Sequence, residues 1–436
     1  MNNLLNKFGE KAPMLAKWGK LLTITGGAQV AIQGIGFVSG ILILRFLSVE
    51  EYAYYTLLNS MLGTMTNLAD GGISTGVMSE SGKCWRDREK LGRVLATGMK
   101  LRKQFAIASL LVSLPILYYL LQDKGLPWWQ SLLMILSVGP AFWAALSGSL
   151  LSVVPKLHQD IDDLLKINVS INVVRLLVTI PAILIFPLSG VAILGSGVGQ
   201  VFGNFKLRKL SAEKADWDSP SDPEARKAIL NTVKRILPGT LYYCISGQIV
   251  VWLVAIFSTT ESLAQIGALS RLVMVLTLVK MVANMLILPR YARLPDVKRL
   301  VVPRFYQVML ILVTICSSIV LFAGFFPNVC LWILGKNYAD LEYELVLMIT
   351  SGCLSMLSGM AYHLTSSRGI IPNPYAIIAS TIAIQVITLA FIVDFTTLAG
   401  VISFSIISSA GNLIYRLIHF IYYTEFKKDW SATIDN

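Results

Sequence analysis

Three cationic side chains lie deep inside long apolar runs of the sequence, where they could bind an anion. Arg175, Arg271 and Lys280 each lie well within such a run, and a charge at the centre of a membrane helix costs at least about 2.5–3.5 kcal/mol. No Asp or Glu lies at a comparable depth in the runs. Arg matches phosphate in a two-pronged geometry, and Lys offers a point charge. The charge pattern therefore predicts an anion-binding interior, whereas a site for organic cations would need the reverse charge.

Polar residues recur at helical spacing beside these cations. Around Arg175 they follow the spacing i, i+4, i+7 and i+11, which places them on one face of a helix. Three further runs show similar stripes, and Arg271 lies about 100° round the helix from one of them. The four sets are Asn168, Asn172, Arg175 and Thr179; Ser270, Thr277, Lys280 and Asn284; Asn59, Gly63, Thr66 and Asp70; and Gln29, Gln33, Gly36 and Gly40. Such faces avoid lipid, so the stripes predict a hydrated interior cavity between the two halves of the chain.

Each of these features also has a structural interpretation. Small and polar stripes pack helices together, and a cation inside the membrane can pair with backbone carbonyls or with a nearby acid. Arg45, at the outer end of its run, can extend its charge to the interface. Asp70, at the inner end of its run, fits a coupling-ion or gating residue and equally a partner for a cation. The glycine-rich segment GSGVGQVFG at residues 195–203 follows no strand, so it predicts close helix packing rather than a phosphate loop.

The composition places these residues in a membrane protein. The chain has 436 residues, of which 55% are hydrophobic and only 14% are charged, whereas a soluble domain carries about 25% charged residues. Runs of about twenty apolar residues recur from end to end and predict membrane-spanning helices. The predicted spans are residues 22–44, 52–70, 104–121, 130–151, 164–186, 188–206, 236–257, 262–288, 305–326, 341–364, 372–393 and 398–422.

The distribution of positive charge predicts the orientation. Most of the 37 Lys and Arg residues lie in alternate loops and in both termini, and only Arg45, Lys124 and Lys336 lie on the opposite side. Cytoplasmic loops carry this excess of positive charge, so both termini are expected in the cytoplasm. The net charge of +12 therefore reflects orientation, and no nucleic-acid partner is expected.

The two halves of the chain show a weak internal repeat. Residues 36–80 overlay residues 247–291 without gaps, and the overlay pairs Gly36 with Gly247 and Glu50 with Glu261. Six spans per half give both halves the same orientation, so the repeat is parallel. The sequence thus predicts an all-α integral membrane protein of about 12 transmembrane helices, in two six-helix bundles around a central cavity. The predicted domains are a bundle at 1–206, a cytoplasmic linker at 207–235 and a bundle at 236–436, with Gly36 and Gly247 allowing the bundles to rock.

Motifs of enzymes and metal sites are absent from the sequence. There is no Walker loop, no HExxH and no GxSxG, and the five Cys and three His residues form no ligand pattern. We therefore expect no catalytic residues, no bound metal and no cofactor. Coupling of the protein to Na⁺ or H⁺ is left open.

Several stretches resemble one family of membrane proteins. The stretch GFVSGILILRFLSVEEYAYYTLLNSMLGTMTNLADGGISTGV, together with ILPRYARL and LWILGKNYADLE, resembles the polysaccharide-biosynthesis (O-antigen repeat-unit flippase) family. That family belongs to the multidrug/oligosaccharidyl-lipid/polysaccharide exporter superfamily. The resemblance implies two six-helix bundles and alternating access in the bacterial cytoplasmic (inner) membrane. It also implies turnover of an undecaprenyl-diphosphate-linked oligosaccharide, with basic cavity residues holding the diphosphate.

Two other functions remain open beside the flippase. One is an ion-coupled small-molecule antiporter of the multidrug type, and the other is a non-transporting membrane component of glycan assembly. Expected partners are the lipid-linked glycan, membrane lipids and other glycan-assembly membrane proteins. The candidate substrate-binding residues are Arg175, Arg271, Lys280, Asn168, Asn172, Arg45, Asn59 and Asn284, and the candidate gating or coupling residues are Asp70, Gly36 and Gly247.

Overall fold

The regular structure of the chain is helical wherever it is described. The computed structural model describes residues 26–217, 219–295, 297–370, 373–391 and 396–427, and no strand occurs in these ranges. The helices are α1 (Gly26–Phe46), α2 (Val49–Asp70), α3 (Ile73–Cys84), α4 (Arg88–Asp123), α5 (Trp128–Leu151), α6 (Val153–Leu157), α7 (Ile161–Ile185), α8 (Ser189–Ala212), α9 (Pro223–Phe257), α10 (Thr260–Val273), α11 (Val275–Leu286), α12 (Leu288–Ala292), α13 (Lys298–Phe325), α14 (Pro327–Leu334), α15 (Glu342–Ser366), α16 (Pro374–Phe391) and α17 (Leu398–Tyr422). A short 3₁₀ helix (Lys336–Tyr338) precedes α15, and a π-helical turn (Tyr423–Lys427) follows α17.

The long helices follow the predicted span map. Nine helical segments of the described chain are long and apolar enough to cross a membrane, with α10–α12 counted as one segment and α5–α6 as another. The long helices α2, α8 and α16 occupy the three remaining predicted spans. The prediction of an all-α integral membrane protein is confirmed.

The basic segment at residues 80–103 is divided between two helices. Helix α3 ends at Cys84, and α4 starts at Arg88 and continues through the third predicted span. Asp87 separates them, because its Oδ1 accepts hydrogen bonds from the backbone N–H groups of Glu89 and Lys90 in the first turn of α4. The Lys90 N–H is also the main reason that the pKa of Asp87 lies below its ordinary value. The cap thus begins a new helix shortly after α3 ends.

The chain divides into two compact units, and all but one of the boundaries between them fall inside helices. Unit 1 comprises Met1–Ile43, Met61–Tyr119 and Pro127–Leu241, of which the structure describes the part from residue 26 on. Unit 2 comprises Leu44–Ser60, Leu120–Leu126 and Tyr242–Asn436. The first half of α2 thus belongs to unit 2 and its second half to unit 1. The predicted domains at 1–206, 207–235 and 236–436 remain a prediction.

The polar segment between α8 and α9 is packed into unit 1. Its small and apolar residues join a buried cluster with residues of α3, α4, α5 and α6. The members from this segment and the start of α9 are Ala215, Ala225, Ile229 and Val233. Trp217 packs against the cluster and donates its indole N–H to Ser211, and the backbone N–H of Asp222 donates to Thr97 of α4. The segment is therefore docked along its length.

Gly92 of α4 is the point of closest approach for this segment. A Cβ at Gly92 would lie 1.9 Å from the backbone oxygen of Asp216, whose own N–H donates to the Arg88 carbonyl at 3.1 Å. We expect Gly92→Ala to lower the free energy of unfolding by about 1–3 kcal/mol, because the backbone must move away. Unfolding of the detergent-solubilised protein measures this. Gly82→Ala is the control, since its Cβ would meet nothing within 4 Å; equal stability of the two variants would contradict the docking.

Unit 2 is organised around α15. This helix packs against both α13 and α17, and α16 packs against α17. Buried side chains run along the length of α15, including Leu345, Met360 and Leu364. Phe305 of α13 stacks on Phe420 of α17 with ring centroids 3.9 Å apart. Helices α10 and α11 also pack against α15 and carry two of the three predicted cations into this unit.

Candidate functional site

The α7 cation lies where α7 and α8 pack closely. A Cβ at Gly199 of α8 would lie 2.8 Å from the Ile171 carbonyl and 2.9 Å from the Cβ of Arg175. The glycine-rich segment therefore serves helix packing, as the sequence predicts. Arg175 itself is half-buried, and its Nε is buried with no hydrogen-bond partner in the described structure. The guanidinium thus keeps hydrogen-bonding capacity that no described protein group uses at this nitrogen.

A polar cavity of about 380 Å³ lies within unit 1, and it is lined in part by the turns of α7 that precede Arg175. Asn168 and Asn172, both predicted as site residues, line it from α7. Polar side chains from other elements complete the lining, namely Gln29, Ser149, Ser152, Lys156 and Gln200. Gln29 belongs to the predicted stripe of α1. The sequence analysis includes Gln200 only within the glycine-rich segment that predicts helix packing. A carboxamide inside a predicted span could have indicated a polar site.

A buried ion pair connects Asp70 to the wall of this cavity. Arg102 Nη2 lies 2.9 Å from Asp70 Oδ1, and the Arg102 side chain is only 2% exposed. The Ser74 hydroxyl donates to the same carboxylate oxygen at 2.5 Å. The other terminal nitrogen of Arg102 donates to the hydroxyl of Ser149, a cavity residue. Asp70 is thus neutralised by a cation of α4. The sequence analysis counted Arg102 only among the Lys and Arg residues of the cytoplasmic loops, so its burial was missed.

In unit 2, Arg271 is held by two tyrosines of α2. Its Nε donates to the Tyr52 hydroxyl at 3.2 Å, and its guanidinium carbon lies 5.8 Å from the centroid of the Tyr55 ring. One turn earlier on α10, a Cβ at Gly267 would lie 2.1 Å from Thr56 Oγ1. These contacts fix α10 against the first half of α2. They give Arg271 a positioning role in addition to its charge.

Tyr52 offers a test of this contact because its side chain is fully buried. We expect Tyr52→Phe to lower the free energy of unfolding by about 1–3 kcal/mol, since a buried guanidinium N–H loses its acceptor. Chemical denaturation in detergent gives the value. Tyr343→Phe, which alters a side chain exposed on α15, is expected to unfold like the unmodified protein. A Tyr52→Phe variant as stable as Tyr343→Phe would show that the hydrogen bond contributes nothing.

Lys280 belongs to a second basic group of unit 2. It makes no hydrogen bond or ion pair within the described ranges, and a Cβ at Gly359 of α15 would lie 3.5 Å from its Nζ. His363 lies one turn after Gly359 on α15, and its ring contacts that of Tyr362 with centroids 5.9 Å apart. Arg416 of α17 donates to the backbone carbonyl oxygen of Ser358 on α15 at 2.6 Å. We call the three basic residues that meet on this part of α15 the unit 2 basic cluster, namely Lys280, His363 and Arg416.

Arg416 was missed as a candidate because the sequence places it near the inner end of the last span. Its guanidinium carbon lies 5.0 Å from the centroid of the Tyr362 ring, inside the helix packing of unit 2. The spacing of Ser408, Asn412 and Arg416 on α17 is a polar stripe that could have revealed it. Asn284, predicted from the stripe of Lys280, has a buried Oδ1 without a hydrogen-bond partner in the described structure.

The remaining predicted residues lie in varied surroundings. Arg45 donates from Nη2 to the Trp332 carbonyl at 2.6 Å and from Nε to the Ile333 carbonyl at 3.1 Å, which satisfies the last turn of α14. Asn59 is exposed on α2. Gly36 is half-buried in α1, and a Cβ at Gly247 of α9 would meet nothing within 4 Å. The structure therefore brings together Asn168 and Asn172 near Arg175 and, separately, Lys280 with two further basic residues.

The predicted cations are not neutralised by carboxylates. Within the described residues, none of Arg175, Arg271 and Lys280 forms an ion pair. The ion pairs that do occur there involve other residues and include the pair of Asp70 with Arg102. Both units therefore carry uncompensated positive charge within their membrane-spanning helices.

Several solved structures that are similar to this chain are transporters. The inward-facing conformation of a multidrug resistance MATE family transporter of the MOP superfamily matches with a TM-score of 0.68 at 15% identity, over 92% of this chain and 93% of that chain. The eukaryotic MATE transporter AtDTX14 matches with a TM-score of 0.60 at 14% identity, over 96% and 97% of the two chains. A MOP superfamily transporter from Pyrococcus furiosus, whose binding pocket is described as having reverse polarity, matches with a TM-score of 0.57 at 14% identity over 92% of each chain. No family model and no curated protein matches the sequence. These likenesses show that the chain has the fold of the MATE transporters.

Proposed function

We propose that the protein is a flippase that moves a lipid-diphosphate-linked oligosaccharide across the bacterial cytoplasmic membrane by alternating access. The observation that carries this proposal is the sign of the interior charge, since Arg175, Arg271 and Lys280 have no carboxylate partner in the described structure. A diphosphate carries several negative charges and accepts charge-assisted hydrogen bonds from Arg and Lys. The sequence resemblance to O-antigen flippases supports the lipid carrier, and the MATE fold supports transport.

The contacts divide the predicted residues between binding and positioning. In each unit, taken by itself, we assign contact with the diphosphate to the cation that lacks a protein partner in the described residues, namely Arg175 at its Nε in unit 1 and Lys280 in unit 2. Asn284, with its buried unpartnered Oδ1, adds polar capacity beside Lys280. Arg271 contributes positive charge to unit 2 and positions α10 through Tyr52. The lipid tail stays in the bilayer, so only the polar head crosses the protein.

Reconstitution tests this proposal directly. The purified protein is placed in vesicles that contain a fluorescent oligosaccharide linked through diphosphate to a polyprenyl chain, and loss of signal to an external quencher reports its exposure. We expect the protein to speed the exposure, whereas empty vesicles and a polyprenyl lipid lacking the diphosphate show only the background rate. The proposal is overturned if the lipid-linked glycan moves no faster with protein than without it.

The alternative is an ion-coupled antiporter of small molecules. Its support is the fold, since the inward-facing structure with a TM-score of 0.68 is a multidrug resistance transporter. The same vesicles, given an inward or outward gradient of Na⁺ or H⁺, would then accumulate an organic cation. The uncompensated cations of both units argue against this substrate, because a cationic guest needs a carboxylate or an aromatic cage.

A further inference from the structure

We infer that the polar cavity of unit 1 is a carbohydrate-binding subsite, which holds the sugar next to the phosphate. This inference rests on the proposed function and names the part of the substrate that unit 1 takes. Four carboxamides from three helices line the cavity, from Gln29 of α1, Asn168 and Asn172 of α7, and Gln200 of α8. A sugar hydroxyl both donates and accepts, and a carboxamide offers both functions in one group.

Much of the hydrogen-bonding capacity of these amides is unused by the protein. The Asn172 side chain donates one N–H to the backbone carbonyl oxygen of Asn168 at 2.9 Å. The Gln200 side chain donates one N–H to Asn204 Oδ1 at 3.1 Å. Asn204 is itself fixed by donation to the Ala144 carbonyl at 2.6 Å. Among the described residues, the carboxamides of Asn168 and Gln29 have no hydrogen-bond partner. The cavity thus combines oriented amides with free ones, as a site for a polyhydroxylated ligand requires.

Volume and charge agree with this class of ligand. The cavity measures about 380 Å³, within the range of about 300–1,000 Å³ that small-molecule sites occupy. Lys156 is the only charged residue in its lining and no carboxylate faces it, so neutral and acidic sugars are both accepted. A hydrophobic drug would leave the amides unpaired at a cost.

We assign the phosphate to Arg175, which follows the cavity residues of α7 without itself lining the cavity. Arg175 lies three residues after Asn172 on α7, so both lie on the same side of the helix. A ligand that fills the cavity with its sugar therefore has a cation within one helical turn. The hydroxyl of Ser149, also in the lining, is fixed by the buried Arg102. Unit 1 is thus built to hold a glycosyl phosphate, with its sugar among the amides and its phosphate toward Arg175.

Soluble probes test this subsite on the full chain in detergent. Glucose 1-phosphate, glucose and inorganic phosphate are titrated separately against the protein and their affinities measured by calorimetry. We expect glucose 1-phosphate to bind more tightly than inorganic phosphate. Removing one side-chain amide is expected to lower the affinity for glucose 1-phosphate about tenfold, as for the loss of a hydrogen bond of about 1.4 kcal/mol. The double variant Asn168→Leu/Gln200→Leu should therefore bind glucose 1-phosphate about a hundredfold more weakly, while its affinity for inorganic phosphate is unchanged.

Further variants separate a lost contact from a lost fold. Gln29 lies on another helix, and Gln29→Leu alone should lower the affinity for glucose 1-phosphate about tenfold. Asn231 is exposed and does not line the cavity, so Asn231→Leu should leave this affinity unchanged. Equal affinities for inorganic phosphate and glucose 1-phosphate, or an unchanged affinity in the Leu variants, would overturn the subsite. Because these titrations involve no lipid movement, sugar binding without vesicle translocation would support the subsite and overturn the flippase.

Discussion

Replacing Asp70 by Asn is expected to lower the free energy of unfolding by about 3–5 kcal/mol, the largest single loss that the structure predicts. The carboxylate is the ion-pair partner of Arg102, whose side chain is 2% exposed. Its removal leaves a buried guanidinium without a counter-charge, and that cost exceeds the worth of the pair itself. The variant also loses a charged acceptor for the Ser74 hydroxyl. Denaturant unfolding of the solubilised protein gives the value.

A second variant distinguishes the buried charge from other effects of the mutation. Asp70→Asn/Arg102→Met removes both charges, so it should recover part of the stability that the single variant loses. Asp163→Asn breaks the exposed pair with Lys166 and should cost no more than about 1 kcal/mol. If Asp70→Asn unfolds like Asp163→Asn, the pair is not the structural element described above, and the coupling role predicted for Asp70 gains weight.

Lys280→Glu is expected to slow translocation of the lipid-linked glycan by at least about a hundredfold. Lys280 has no ion-pair partner in the described structure and lies in the unit 2 basic cluster. A hydrogen bond to a charged group is worth about 1.5–3 kcal/mol, or roughly ten- to a hundredfold, and the introduced carboxylate adds repulsion of the diphosphate. Lys280→Gln, which removes the charge alone, should fall between Lys280→Glu and the unmodified protein. The initial rate in vesicles measures all three.

The control is a lysine outside the membrane-spanning helices. Lys336 is exposed in the 3₁₀ helix between α14 and α15. The Lys336→Glu variant should therefore translocate the lipid-linked glycan at the same rate as the unmodified protein. Arg175→Gln tests unit 1 in the same assay and should slow translocation by about tenfold or more. Full rates in both Lys280→Glu and Arg175→Gln, at equal reconstitution, would remove these residues from the binding of diphosphate.

The span map and the membrane character were predictable because they depend on one-dimensional patterns. Apolar runs of membrane length define helices without reference to tertiary contacts. The polar stripe through Asn168, Asn172 and Arg175 was likewise visible, since residues at i, i+4 and i+7 share a helix face. The structure places two of these residues in a polar cavity. Periodicity identifies a face, but it does not reveal which helix meets that face.

Burial of Arg102 and Arg416 was not predictable from the same patterns. Arg102 lies just before the third predicted span and Arg416 near the end of the last one, where a cation normally satisfies the positive-inside rule in water. Their partners, Asp70 and the Ser358 carbonyl, come from other helices. The linker shows the same limit, because its many charged residues concealed the few that pack, such as Ala215 and Val233. Whether such residues pack inside the protein or face water depends on contacts with distant parts of the chain, which one-dimensional patterns do not contain.

The most direct test of the interior charge is a binding measurement with ligands of opposite sign. The purified protein is titrated with a short-chain polyprenyl diphosphate and, separately, with a lipophilic organic cation, at low and at high salt. The account predicts that the diphosphate binds, that salt weakens it and that Arg175→Gln and Lys280→Gln each reduce its affinity about tenfold or more. Tight binding of the organic cation, with no measurable binding of the diphosphate, would contradict it.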